Sequence, residues 1–313
     1  MSVRIAVVGS GYMAAEYIRA AEHVSNLEVI GICSRNLQTA QTLALEARIP
    51  FVTTNLKDLV LDTKPDVILV CVPELSTEQV LTQLMEFRIP IVAEKPIGLS
   101  LSQAKRIENL AIEADCSIYV ALNRRFYSAT EQALIEIEAE NGKRFIRVID
   151  QVNQVSARKS GQPDQVVKNW MFANSIHIID YIQFLARGTV AKTENWKPFV
   201  AGDEQIIASQ IEFSSGDVAL YTCYWNMPAR WSVDVSIGEK TWQFSPLESA
   251  RVYTLQNRET KEFETSPFDH NFKPGLFRIL QEIESLVAVG ETKLTSLSIG
   301  NLTMELIEGI YNA

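Results

Sequence analysis

Short apolar runs and helical-period stretches alternate along the first third of the chain. VRIAVVG (3–9) predicts a strand. MAAEYIRAAEHV (13–24) repeats Met13, Tyr17, Ala20, Ala21 and Val24 at helical spacing. The alternation continues through strands expected at 27–34, 65–73, 90–96 and 117–123 and helices at 36–48, 77–88 and 101–114. PDVILVCVP (65–73) is apolar almost throughout between two prolines, the pattern of a strand covered on both faces. Strands alternating with helices predict a parallel, doubly wound α/β sheet with right-handed crossovers.

Beyond residue 123 the rhythm changes. Helical patterns run over 128–140 and 172–186, then strand patterns follow at 144–152, 204–213, 218–225, 231–238, 240–246 and 251–256. The turns between them are marked by SSGD, MPAR and GEK. Sequential strands of this kind predict a large, mostly antiparallel sheet. A last helical pattern covers 275–289 and precedes LTSLSIGNLTMELIEGIY (294–311). The expected division is a dinucleotide-sized domain over 1–123 and a second α/β domain over 124–313, whose final helix can pack back on the first.

Composition narrows the class. At 313 residues and 47% hydrophobic the chain is long enough to bury two cores. Its net charge of -9 and lack of a basic run argue against a nucleic-acid partner. Cys33, Cys71, Cys116 and Cys223 are widely spaced and show no CxxC or zinc spacing, so they read as buried thiols in a reducing compartment. No apolar stretch approaches the roughly 18 residues that span a bilayer. A cytoplasmic protein without a membrane partner is the expectation, and no metal site is expected.

The first chemistry lies in GSGYMA (9–14), which matches G-x-G-x-x-A directly after a strand and before a helix. Gly9 permits the tight turn, Gly11 lets backbone approach a pyrophosphate, and Ala14 keeps helix and strand close. Tyr12 and Met13 open the helix, whose free N–H groups and positive dipole end suit phosphate. This is the signature of a Rossmann domain. The second strand ends in ICSRN (32–36), with Ser34 and Arg35 where an NAD site usually carries an acid. Arg35 can pair with a 2′-phosphate through its planar fork. NADP is therefore the preferred cofactor, with NAD as the alternative. Pro73, at the end of the third apolar strand, joins the expected cofactor set.

AEKPIG (93–98), ALNRRF (121–126), HIIDYIQFL (177–185) and TSLSIGNLTMELIEGIY (295–311) together resemble segments of the Gfo/Idh/MocA oxidoreductase family, over essentially the whole chain. The resemblance implies reversible hydride transfer between a nicotinamide and an oxygen-bearing carbon of a sugar, cyclitol or related polyol. It implies a second domain whose open sheet commonly forms the oligomer interface, so a homodimer or homotetramer is expected. It places Lys95 beside the nicotinamide as electrophile or acid, with Glu94 orienting the strand end and Pro96 fixing the exit.

His177, one of three histidines, is the expected acid/base. On an α-helix over 172–186 it would share a face with Ala173, Asn174, Asp180 and Phe184. Asp180 would orient the imidazole or act as a structural anchor. Many family members carry Asp four residues before this His; here the position is Ala173, which neither bonds nor titrates. Thr77 in PELST (73–77) likewise stands near a frequent family His. Further expected substrate contacts are Asn123, Arg124 and Arg125 after the fifth strand, Asn174, His177, and Trp170 as a sugar-stacking face. The stretch 155–170 reads as a polar loop.

The leading expectation is an NAD(P)-dependent dehydrogenase of a carbohydrate-like small molecule. The Ala173 gap keeps a second open, a dinucleotide-binding sensor with little or no catalysis. A third is a reductase of a non-sugar substrate.

Overall fold

The computed structural model describes residues 2–202, 205–256 and 260–312. Glu204, at the head of one expected strand, lies outside the described residues, as do Met1 and Ala313 at the expected domain ends. The chain divides into two compact units. One comprises Met1–Gly98, Ser102–Asn123 and Phe268–Asn301; the other comprises Leu99–Leu101, Arg124–Pro267 and Leu302–Ala313. Residues 268–301, read from sequence with the second domain, thus group with the first.

The first unit is built on six parallel strands: β1 (Val3–Val8), β2 (Leu27–Cys33), β3 (Phe51–Thr53), β4 (Val67–Val70), β5 (Ile91–Glu94) and β6 (Ile118–Ala121). Their spatial order is β6-β5-β4-β1-β2-β3, with the short strand Thr295–Ser296 antiparallel at the β6 edge. The order reverses between β1 and β4, which makes that junction the topological switch point where such sheets bind ligands. β4 is buried at every position, as a strand covered on both faces must be. Helix Leu276–Val289 returns late in the chain to pack on β1 and on helix Tyr12–Ala21. It does so with Leu276, Ile279, Leu280 and Ile283.

The second unit carries an eight-stranded sheet. Its strands are β7 (Phe145–Val152), β8 (Val190–Lys197), β9 (Gln205–Phe213), β10 (Val218–Trp225), β11 (Ser232–Ile237), β12 (Lys240–Phe244), β13 (Arg251–Thr254) and β14 (Lys261–Glu262). The order is β14-β13-β12-β11-β7-β10-β9-β8, and only the central β7–β10 pair is parallel. One face is core: Ile146, Val148, Val152, Tyr221 and Trp225 are buried there. Helix Ile176–Leu185 covers that face against β7 and β11.

The sequence pattern missed several elements. β3 and helix Leu56–Thr63 were not expected, nor were β8 and β14. The polar stretch 155–170, expected as a loop, holds two short helices, Gln154–Lys159 and Asp164–Lys168. The single α-helix expected over 172–186 is a π-helical turn, Met171–Ser175, followed by the α-helix Ile176–Leu185. All four cysteines are buried and unbridged. Among the described residues no helix is long and apolar enough to cross a membrane.

Candidate active site

In the first unit the expected cofactor residues gather at the C-terminal ends of β1, β2, β4 and β5. Gly9 has φ +115°, and a Cβ there would stand 2.2 Å from the Cys71 carbonyl oxygen. Backbone bonds lock the position: Gly9 N–H donates to Cys33 O at 2.8 Å, and Cys71 N–H to Val8 O at 2.7 Å. Only glycine fits. Gly11 has open space around its missing Cβ and is the residue from which helix Tyr12–Ala21 starts, with no side-chain cap. The neighbouring helices differ. Asn36 accepts from Thr39 N–H, and Asn55 from Lys57 and Asp58 N–H. Pro73 begins helix Glu74–Met85, again without a side-chain cap. The two helix starts flanking the switch point therefore keep their first amides available, while helices Leu37–Glu46 and Leu56–Thr63 cap theirs.

That cradle fits the pyrophosphate of a dinucleotide: the turn is too tight for any side chain, and uncapped N–H groups ring it. Beside it, Ser10 Oγ bonds Ser34 Oγ at 2.7 Å and Thr39 Oγ1 at 2.6 Å, so hydroxyls line the end of β2. Arg35 is exposed and makes no ion pair with another described residue. Tyr12 is 66% exposed and Met13 half-buried. These residues could hold NAD(P).

At the end of β5, Glu94 is half-buried, and its buried Oε1 has no hydrogen-bond partner. Burial raises its carboxyl above the ordinary value, against the opposing pull of Lys95, Tyr17 and Lys273. Burial likewise pushes Tyr17 and Cys71 up, with Glu94 adding to both. Lys95 is half-buried, and the Lys95–Pro96 bond is cis. Asn123, expected to meet substrate, is buried and donates from Nδ2 to Pro274 O at 3.0 Å. That amide holds a loop.

In the second unit the residues around His177 separate into anchors and candidates. Arg125 grips Asp180 with two bonds of 2.7 and 2.6 Å and lies over the Phe184 ring at 4.8 Å. Thr303 Oγ1 donates to the same carboxylate at 2.8 Å. Asp180 is therefore the structural anchor of the two roles left open. Arg125 spends two of its five donors on it. Arg124 differs: its Nε and Nη1 are buried without hydrogen-bond partners, and its guanidinium lies 4.4 Å from the Trp231 ring centre. Unpaired guanidinium donors are costly unless something fills them.

His177 and Asn174 are both half-buried. Ala173 is 3% exposed and joins a cluster of Leu99 and Val166, with Trp170 packed against it. Trp170 is half-buried and packs against this cluster. The π turn also breaks the α-helical register that would set Ala173 one turn below His177. Reasoning from sequence missed Trp231 and the buried acid Asp150. Asp150 sits at an inward position of β7 and accepts from Tyr221 Oη at 2.7 Å. Burial raises its carboxyl, and its Oδ1 has no hydrogen-bond partner. An acid on the apolar face of RFIRVIDQV was the available signal. Among the described residues no group of three metal-ligating side chains occurs.

The fold and the glycine cradle define a class: a dinucleotide-binding Rossmann domain followed by a second α/β domain. Residues 3–122 match the Gfo/Idh/MocA family model, described as "Oxidoreductase family, NAD-binding Rossmann fold". Over 296 residues the chain is 23% identical to D-glucoside 3-dehydrogenase of Escherichia coli, covering 82% of this chain and 80% of that one. Over 127 residues it is 31% identical to inositol 2-dehydrogenase of Corynebacterium glutamicum, 40% of this chain and 38% of the relative. A solved dehydrogenase from Chromobacterium violaceum shares the fold over 99% of this chain and 94% of its own, with TM-score 0.84 at 16% identity.

Proposed function

We propose that this chain is a dehydrogenase that moves hydride between NADP(H) and a CH–OH carbon of a sugar, sugar derivative or cyclitol. The observation that carries this is the uncapped glycine cradle beside the E-K-P strand end in one compact unit. The relatives named for glucoside and inositol oxidation support the substrate class. Arg35, exposed where an acid would repel a 2′-phosphate, supports NADP over NAD.

Gly9, Gly11 and the first amides of helix Tyr12–Ala21 hold the pyrophosphate, with Tyr12, Met13, Ser34, Arg35 and Pro73 around it. When bound, the nicotinamide accepts or returns the hydride. In the oxidising direction His177 takes the hydroxyl proton on its imidazole. The Lys95 ammonium donates to the substrate oxygen and steadies the charge that grows there. Arg124 and Asn174 offer the remaining donors to the substrate. The reaction takes place in the cytoplasm, in a homo-oligomer joined through the outer face of the second unit's sheet.

Lys95→Ala and His177→Ala are each expected to cut kcat/KM about a hundredfold or more with dinucleotide affinity nearly kept. Steady-state kinetics with NADP(H) and a panel of glycosides, cyclitols and nucleotide sugars would show it. The apolar seat of Ala173 favours one second reading, a dinucleotide-binding regulator. Tight dinucleotide binding without turnover of any panel member would select it.

A further inference from the structure

Lys273 stands far from the glycine turn in sequence, yet the fold brings it there. Its Nζ lies 5.2 Å from the ring centre of Tyr12, the first residue of helix Tyr12–Ala21. Its charge also acts on the half-buried Glu94 at the end of β5. The ammonium is thus held beside the cradle, at the C-terminal ends of the parallel strands.

The loop that carries it is clamped on both sides. Before Lys273, Phe272 is buried, with the His23 ring 4.9 Å away and the Arg19 guanidinium 5.3 Å from its centre. After it, Pro274 O accepts from Asn123 Nδ2 at 3.0 Å, directly beyond β6. Lys273 itself is half-buried, and its side chain makes no hydrogen bond or ion pair with another described residue. A lysine head group placed this way, next to uncapped amides and without a carboxylate bonded to it, is arranged to meet an anion.

We propose that Lys273 is a cofactor-binding residue that pairs with the dinucleotide pyrophosphate, and that Asn123 is the positioning residue that fixes its loop. This rests on the dinucleotide reading of the glycine turn. It assigns part of the cofactor site to the segment 268–301, which the chain returns to the first unit.

The test is binding by calorimetry, with NADPH and with ADP-ribose, which keeps the pyrophosphate and lacks the nicotinamide. Lys273→Met is expected to weaken both ligands about tenfold, the scale of one charge-assisted bond. Lys273→Arg is expected to restore most of the loss, and the deficit of Lys273→Met is expected to shrink at high salt. Asn123→Ala is expected to weaken both ligands less than Lys273→Met. Wild-type affinity in Lys273→Met, with its thermal transition unchanged, would overturn the proposal alone. A wild-type chain that binds neither ligand would overturn the dinucleotide reading itself.

Discussion

Ala173 is the residue on which the chemistry turns. The resemblance leads one to expect a carboxylate there. Instead the position lies among Leu99, Val166 and Trp170, where an unpaired carboxylate would lose its hydration. Ala173→Asp is therefore expected to destabilise the chain by about 2–5 kcal/mol in denaturant unfolding, with no gain in kcat. A variant as stable as wild type and faster would show that the seat is a vacated catalytic position. The other candidates divide by what already holds them. Arg124 keeps unpaired donors, while Arg125 is bound to Asp180. Sequence could not separate these neighbours, because their partners lie 55 and more positions away and only the fold brings them close. Lys273 carried no local signal at all; nothing about NFKPG names an anion. Gly9 was legible because the constraint on it is local, a tight turn between strand and helix.

Elements were readable where burial imposed a period. β1, β2, β4, β5 and β6 are apolar runs covered on both faces, and their pattern predicts them directly. β8 was missed because it is an edge strand exposed at most positions, held by backbone bonds to β9 with no apolar alternation to show it. The π turn was invisible because one extra residue per turn leaves composition unchanged. A polar knot also ties the strand ends of the second sheet. Asp217, fully buried just before β10, accepts from Arg144 N–H at 2.9 Å and from three Arg187 donors at 2.7 to 3.0 Å. Burial alone would raise its carboxyl, but the Arg187 bonds and the amides bring it down to about 2. Because the folded value lies below the unfolded one of about 3.9, its stabilisation is complete above that pH and is lost as pH falls towards 2. Asp217→Asn is expected to cost about 2–4 kcal/mol at neutral pH and to flatten the acid limb of the stability curve. Thermal unfolding across pH 2 to 7 is the check; a variant with the wild-type acid limb would remove Asp217 from the account.

At the scale of the molecule, the second unit leaves one sheet face uncovered. Phe145, Trp196 and Leu220 are 57%, 55% and 39% exposed there and line a groove of about 410 Å³ with Arg147, Gln210 and Tyr253. An apolar face of this kind marks an interaction surface. A dimer or tetramer through it is expected, and Leu220→Glu should shift sedimentation towards the single chain. A wild-type chain that sediments alone at micromolar concentration would remove that interface. The two-sheet plan was legible from the change of rhythm after residue 123. The return of residues 268–301 to the first unit was not, because helix Leu276–Val289 has the same amphipathic pattern whichever sheet it covers. The central claim is hydride transfer, and the most direct measurement is the absorbance of reduced nicotinamide when the purified chain meets NADP+ and a panel of glycosides, cyclitols and nucleotide sugars. The account predicts a rise with at least one panel member, stronger with NADP+ than NAD+ and abolished by Lys95→Ala. A chain that binds the dinucleotide yet reduces none of it, with every panel member and in the reverse direction with the matching ketones, would contradict the account.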